Sequence, residues 1–139
     1  MRYLFFILCL SLFLNAIEYE KSDNIVIDKQ NKLMWQDNDE VTQYLETTVT
    51  AEVYCENIIL NGYIDWRVPT VNELINIIDL KNKNAIYSEF KFVNPNIYIS
   101  STSFIEKDSL FWGINFQTGS IIRENKSNEN YIRCIRDIK

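Results

Sequence analysis

Asp65-Trp66-Arg67 is the segment of this sequence best equipped to hold a ligand. A guanidinium set beside a carboxylate and an indole can grip a ligand carboxylate or sulfate through two parallel hydrogen bonds. The plainer reading is structural, with Trp66 filling a core and Arg67 locked by Asp65 or Glu73. A second cluster, Asp37-Asn38-Asp39-Glu40, gathers hard oxygen donors. Asp37, Asp39 and Glu40 would suit calcium, which takes roughly six to eight oxygens, although the glycine and distal glutamate of an EF-hand are missing. A solvated acidic loop competes with that reading, Asn128-Glu129-Asn130 is a weaker case of the same kind, and no other cofactor is implied. Trp112 and Tyr98 could stack on sugar rings, though strands bury alternate side chains and most aromatics pack inward. Phe111 and Trp112 are adjacent, so a regular strand points them to opposite faces. Arg123, Lys126, Arg133, Arg136 and Lys139 make the C-terminal end locally basic, and Arg123 and Arg133 join Trp112 and Tyr98 as candidate ligand contacts.

Catalysis lacks parts. The sequence contains no histidine, which removes the usual general base, the usual zinc ligand and every histidine-dependent triad. Ser100, Ser101 and Ser103 therefore have no imidazole to activate them. Carboxylates are plentiful, but nothing in their spacing sets a pair at the separation a glycosidase needs. With 14 basic against 19 acidic residues the net charge is −5, so nucleic acid is not an expected partner. The expectation is a protein that binds rather than one that catalyses.

Arg2, the apolar run Tyr3–Leu14 and then Asn15-Ala16 have the layout of a secretory signal peptide over residues 1–16. The run falls short of the roughly 20 residues that span a bilayer, so no membrane insertion is expected once it is removed. Retention as an N-terminal anchor is the alternative, because Leu14 fits a cleavage site poorly. The expected mature chain, residues 17–139, has the size of one domain and is periplasmic or extracellular. Cys9 leaves with the signal segment. The remaining Cys55 and Cys134 most simply form one disulfide in an oxidising compartment, with two unpaired core thiols as the competing reading.

These residues need elements to position them. Asn24–Asp28 and Leu33–Trp35 read as strands around a Lys29–Lys32 turn. Val41–Leu60 is a helical candidate with Val49, Val53, Ile59 and Leu60 near one face, stopped by Asn61-Gly62. Its threonine-rich stretch at 47–50 is a poor helix interior. Pro69-Thr70 opens a better-marked helix, where Thr70 and Glu73 complete a capping box ahead of Leu74, Ile77 and Ile78. Residues 81–95 read as an ordered loop anchored by Ile86, Tyr87, Phe90 and Phe92. Strands follow at 97–104, 110–116, 120–124 and 131–135, with a tight turn at Gln117–Ser120. The plan is α+β: an N-terminal hairpin, two helices, then a mainly antiparallel sheet.

Several of these segments carry a known pattern. Leu33–Gln36, Cys55, Gly62-Tyr63-Ile64-Asp65-Trp66-Arg67-Val68-Pro69-Thr70-Val71-Asn72-Glu73-Leu74, Ser100-Ser101-Thr102, Trp112 with Phe116 and Gly119, and Tyr131–Arg136 occur in that order. The sequence resembles the Lcl C-terminal domain family, named after the C-terminal domain of the Legionella collagen-like protein, from about Ile25 to Arg136. The resemblance implies an exported domain of C-type-lectin-like mixed fold, in a family whose named member is an adhesin for sulfated glycosaminoglycans. This chain lacks a Gly-x-y stalk, is acidic where sulfated glycans favour basic surfaces, and has Ile99 where the pattern often has tryptophan. The expected function is recognition of glycans or other surface ligands at the bacterial envelope. The alternative is a structural or protein–protein interaction module of an envelope assembly, and oligomer formation is left open.

Overall fold

The computed structural model describes residues 18–139, so the expected signal peptide at 1–16 lies outside the described residues. The expected N-terminal hairpin is present as β2 (Ile25–Asp28) and β3 (Leu33–Gln36), joined through Lys29–Lys32. Asp28 ties that turn by accepting from the Asn31 backbone N–H at 3.0 Å and its side-chain amide at 2.8 Å. A further strand, β1 (Tyr19–Ser22), pairs with β2; its polar composition hid it from hydropathy. All four residues of β3 are buried, with Trp35 packed into one core cluster and Met34 into the other. A strand covered on both faces loses the alternation of a half-buried one, which is why Leu33-Met34-Trp35 is a continuous apolar run.

A second sheet holds β4 (Leu45–Glu46), β5 (Ile97–Tyr98), β6 (Leu110–Asn115), β7 (Ser120–Asn125) and β8 (Asn130–Tyr131), in the order β4-β8-β5-β6-β7. Every pairing is antiparallel except β5 with β8, which run parallel at Tyr98 and Tyr131. The β6–β7 hairpin turns at Gly119 with φ of +77°, where an added Cβ would lie 2.5 Å from Leu80 Cδ2. Two expected strands are corrected. The one at 97–104 ends after Tyr98, because the chain bends where the Ser100 hydroxyl donates to the Trp112 carbonyl and accepts from Thr102 N–H at 3.1 Å. The one at 131–135 is split between the sheets: Tyr131 belongs to β8, while Ile135 opens β9 (Ile135–Asp137), which pairs with β3 and completes the order β1-β2-β3-β9.

The first helix is shorter than expected and turned the other way. A 3-10 turn (Asp39–Thr42) and β4 precede α1, which runs Thr48–Asn57. Thr47 is its cap: its hydroxyl accepts from Thr50 N–H at 3.3 Å, and Thr50 Oγ1 accepts from Thr47 N–H at 2.9 Å. The threonines unsuited to a helix interior therefore start the helix. The buried face carries Ala51 and Cys55, while Val49 and Val53 are 70% and 55% exposed. Asn61-Gly62 does take positive φ, but in a tight turn between Leu60 and Tyr63 beyond the helix end. The second helix, α2 (Val71–Asn76), has its expected capping box and buries Leu74, with Ile77 buried at its end. No helix among the described residues is long and apolar enough to cross a membrane.

Three ties join these pieces. Cys55 of α1 and Cys134 of the β8–β9 connection form the expected disulfide, closing a separation of 79 residues. Arg67 donates to both carboxylate oxygens of Glu73 at 2.7 Å and to Asp137 at 3.1 Å, and its backbone bridges Ile135. Glu73 thus caps α2 and clamps Arg67 with one side chain. Burial pushes its carboxyl up, but the Arg67 fork and the Thr70 N–H outweigh this and hold it below the usual range. The third tie is a fully buried ion pair. Arg133 donates to Asp37 Oδ1 at 3.0 Å and to the Gln36 and Phe92 carbonyls, with the Phe90 ring 5.0 Å from its guanidinium. Asp37 also accepts from Lys21 Nζ at 2.6 Å and from the N–H groups of Lys91 and Phe92 at 2.9 and 3.1 Å. Burial would raise the Asp37 pKa; the Arg133 charge and these hydrogen bonds reverse the sign and hold it low.

Replacing both Cys55 and Cys134 by alanine should cost about 2–5 kcal/mol in urea unfolding, the range for native disulfides of small exported domains. Asp37→Asn should cost about 3–5 kcal/mol by leaving Arg133 buried without its counter-charge. Because native Asp37 titrates below its unfolded value of about 3.9, its contribution is complete above about pH 4 and is lost as pH falls through the native value. The urea midpoint of the parent protein should therefore drop across that acid range more steeply than that of Asp37→Asn. Equal slopes would refute the assignment.

Candidate functional site

The segment that follows Arg67 lies against the segment that follows Tyr98. Ser101 N–H donates to the Pro69 carbonyl at 2.8 Å, and Thr102 Oγ1 accepts from Val71 N–H at 3.0 Å. Beside this seam runs one flank of α1, fastened at its start by Thr48 N–H donating to the Lys126 carbonyl at 3.2 Å. Between them is a cleft of about 180 Å³ with a floor of Val68, Ile99 and Phe111 and a rim carrying Thr48, Glu52, Ser101, Ser103 and Lys126. Glu52, Val68 and Ser101 also line an adjoining hollow of about 370 Å³, which extends to Glu56, Arg67 and Thr70. The two form one groove along α1. Its floor is buried, and Glu52, Glu56, Ser101 and Ser103 stand exposed on its walls.

The chemistry of the groove is that of hydrogen bonding. Lys126 Nζ donates to Ser103 Oγ at 2.8 Å in a solvent-exposed pair, leaving two further ammonium protons to offer. Glu52 offers acceptors on the rim, and the serine and threonine hydroxyls offer both kinds of bond. Arg67 is committed to Glu73 and Asp137, whose carboxyl is held low by that contact, so its guanidinium acts as wall.

The expected contacts are divided by this arrangement. Tyr98 and Arg133 are fully buried, which corrects the expectation that they meet a ligand. Tyr98 spends its hydroxyl on the Val41 carbonyl at 2.7 Å, and Arg133 is spent on Asp37. Aromatic and cationic side chains suit ligands, and sequence does not disclose a buried counter-charge. Trp112 and Arg123 do reach the surface as register partners across β6 and β7. They meet at Phe104, whose ring lies 5.3 Å from that of Trp112 and 5.0 Å from the Arg123 guanidinium. This patch is on the face of β6 opposite Phe111 and the groove, as adjacent strand residues require. The basic C-terminal residues do not converge, since Arg136 is buried against Asp65 at 2.7 Å.

Asp65, Trp66, Arg67, Pro69, Thr70 and Glu73 occupy the places a structural motif needs. Trp66 is buried and donates to the Tyr63 carbonyl at 3.0 Å. The partner of Arg67 is Glu73, while Asp65 serves Arg136, whose hydrogen bonds hold that carboxyl low. Of the expected calcium ligands, Asp37 has both oxygens occupied inside the core, Asp39 is exposed, and Glu40 accepts from the Tyr54 hydroxyl. This corrects the grouping of the three as one site: Asp37 faces inward to cations and backbone donors. Among the described residues no cluster of three or more such side chains could hold a metal ion. Thr48, Glu52 and Lys126 were not singled out as groove residues, and only the pairing of Val68–Thr70 with Ser100-Ser101-Thr102 in one pattern pointed toward their seam.

No match was found among curated proteins. The description of one family, the Lcl C-terminal domain, matches residues 24–136. That span takes in β2 through the first residues of β9, the disulfide, the buried ion pair and both walls of the groove. On that match the chain belongs to the Lcl C-terminal domain family.

Proposed function

We propose that this chain is an exported recognition domain that binds neutral saccharides in the groove along α1 and performs no chemistry on them. The observation that carries the reading is the hydroxyl-lined cleft where Val68–Thr70 meets Ile99–Ser103. Its rim offers a carboxylate acceptor and an ammonium donor, the set that matches neighbouring sugar hydroxyls. Its floor of Val68, Ile99 and Phe111 suits the C–H face of a sugar ring. Glu52 and Glu56 oppose a sulfated or carboxylated ligand, so the favoured ligand class is uncharged. The non-enzymatic part of the reading rests on Lys126, an exposed ammonium that donates to Ser103, and on a sequence without histidine. Export to the periplasm or cell surface is supported by the disulfide and the apolar segment at residues 3–14. Two short helices with two small sheets are also compatible with the C-type-lectin-like label.

The Trp112–Phe104–Arg123 patch supports a second location for the same activity, with a sugar stacked on the exposed part of the indole. A glycan array followed by calorimetric titration of the strongest hit separates the two. Glu52→Ala and Lys126→Met should each weaken binding about tenfold, the effect of losing one or two hydrogen bonds. Trp112→Ala should leave binding unchanged, and so should chelation with EDTA. Loss of binding on Trp112→Ala alone would move the site to the other face of β6. A blank array would sink the saccharide reading.

A further inference from the structure

The other flank of α1 presents apolar side chains to solvent. Val53 is 55% exposed, Leu45 just before the helix 46% and Ile59 just after it 73%. Val53 lines a shallow groove of about 590 Å³ with Thr50, Tyr54 and Ile58, edged by Glu46 and Asn57. Neither the core nor the saccharide groove accounts for the exposed Val53. A β-branched valine on the solvent side of a helix loses rotamer freedom and lowers helix propensity without gaining burial.

Charge is distributed just as unevenly. From Leu33 to Trp66 the sequence contains seven acidic residues and neither lysine nor arginine. Asp37 and Asp65 among these are paired with Arg133 and Arg136, and Glu40 is engaged by Tyr54, which leaves Asp39, Glu46, Glu52 and Glu56. Glu46 flanks the apolar groove on one side, and Glu52 and Glu56 flank the helix on the other. A second copy docked through this face by two-fold symmetry would set these carboxylates against their own counterparts. An anionic lipid surface would be repelled in the same way.

We propose that this flank of α1 is a docking surface for a cationic amphipathic segment of a partner protein, a helix with an apolar stripe bordered by lysine or arginine. The stripe would cover Val53 and Ile58, and a flanking cation would meet Glu46, in the manner of helix-in-groove recognition. The inference is independent of saccharide binding, because Val53 and Glu46 do not line that groove.

The test uses a fluorescein-labelled helical peptide of leucine and lysine, about four turns long, and its leucine–glutamate counterpart. Fluorescence anisotropy should show the lysine peptide binding in a salt-sensitive manner and the glutamate peptide not binding. Val53→Ser should weaken the lysine peptide at least about fivefold, and Glu46→Gln should weaken it while flattening the salt dependence. Both positions are at or near the surface, so unchanged melting temperatures would show that the variants remain folded. Binding of the lysine peptide that is indifferent to Val53→Ser, or no binding at all, would overturn the proposal. Concentration-dependent dimerisation in sedimentation velocity, abolished by Val53→Ser, would overturn it in favour of a second copy.

Discussion

A charged pair with no access to solvent holds the two sheets of this protein in register. Arg133 lies where the chain leaves β8 for β9, and its guanidinium reaches the end of β3 at Gln36 and Asp37 and the loop carbonyl of Phe92. Three segments far apart in sequence are thereby bound to one side chain. Low dielectric strengthens such a pair but exacts desolvation, and here the cost is offset by Lys21 and two backbone donors on Asp37. An apolar pair of equal volume could fill the space. It could not hold the carbonyl of Phe92 and the N–H groups of Lys91 and Phe92, and that end of the loop would lose these ties.

The family's longest motif works in the same way one layer out. Asp65-Trp66-Arg67 puts a backbone bridge onto β9, Trp66 into the core, and Arg67 onto a glutamate already committed to capping α2. Few of these groups are free to meet a ligand. What the motif does for function is indirect: it sets Val68 and Pro69 against Ser101, and that seam, with α1 beside it, makes the groove.

Local signals are legible in this sequence and distant compensation is not. The Leu33–Trp35 run, the capping box of Thr70 and Glu73, the Gly119 turn and the cysteine pair all depend on neighbours in sequence or on simple counting. The inward face of α1 escaped because it is set by the disulfide partner far along the chain: Cys55 must face Cys134, which takes Ala51 inside and leaves Val49 and Val53 outside. A hydropathy pattern assigns those roles the other way round. Arg133 escaped for a related reason: charged side chains are placed outside by default, and its partner is 96 residues away. The groove walls were hidden because Thr48, Ser101 and Lys126 are ordinary surface residues until topology brings them together.

The order of elements has a consequence for how the molecule comes into being. β8, the Cys134 half of the bridge, Arg133 and β9 all lie between Asn130 and Asp137, after every other element. β8 joins β4 to β5, and β9 contributes the fourth strand of the other sheet. A chain synthesised from its N-terminus can form the β1–β3 meander and the β6–β7 hairpin before that segment is made. Neither sheet is complete until those last residues emerge. Closure then falls to the end of synthesis, when one short segment completes both sheets and supplies the second half of the disulfide.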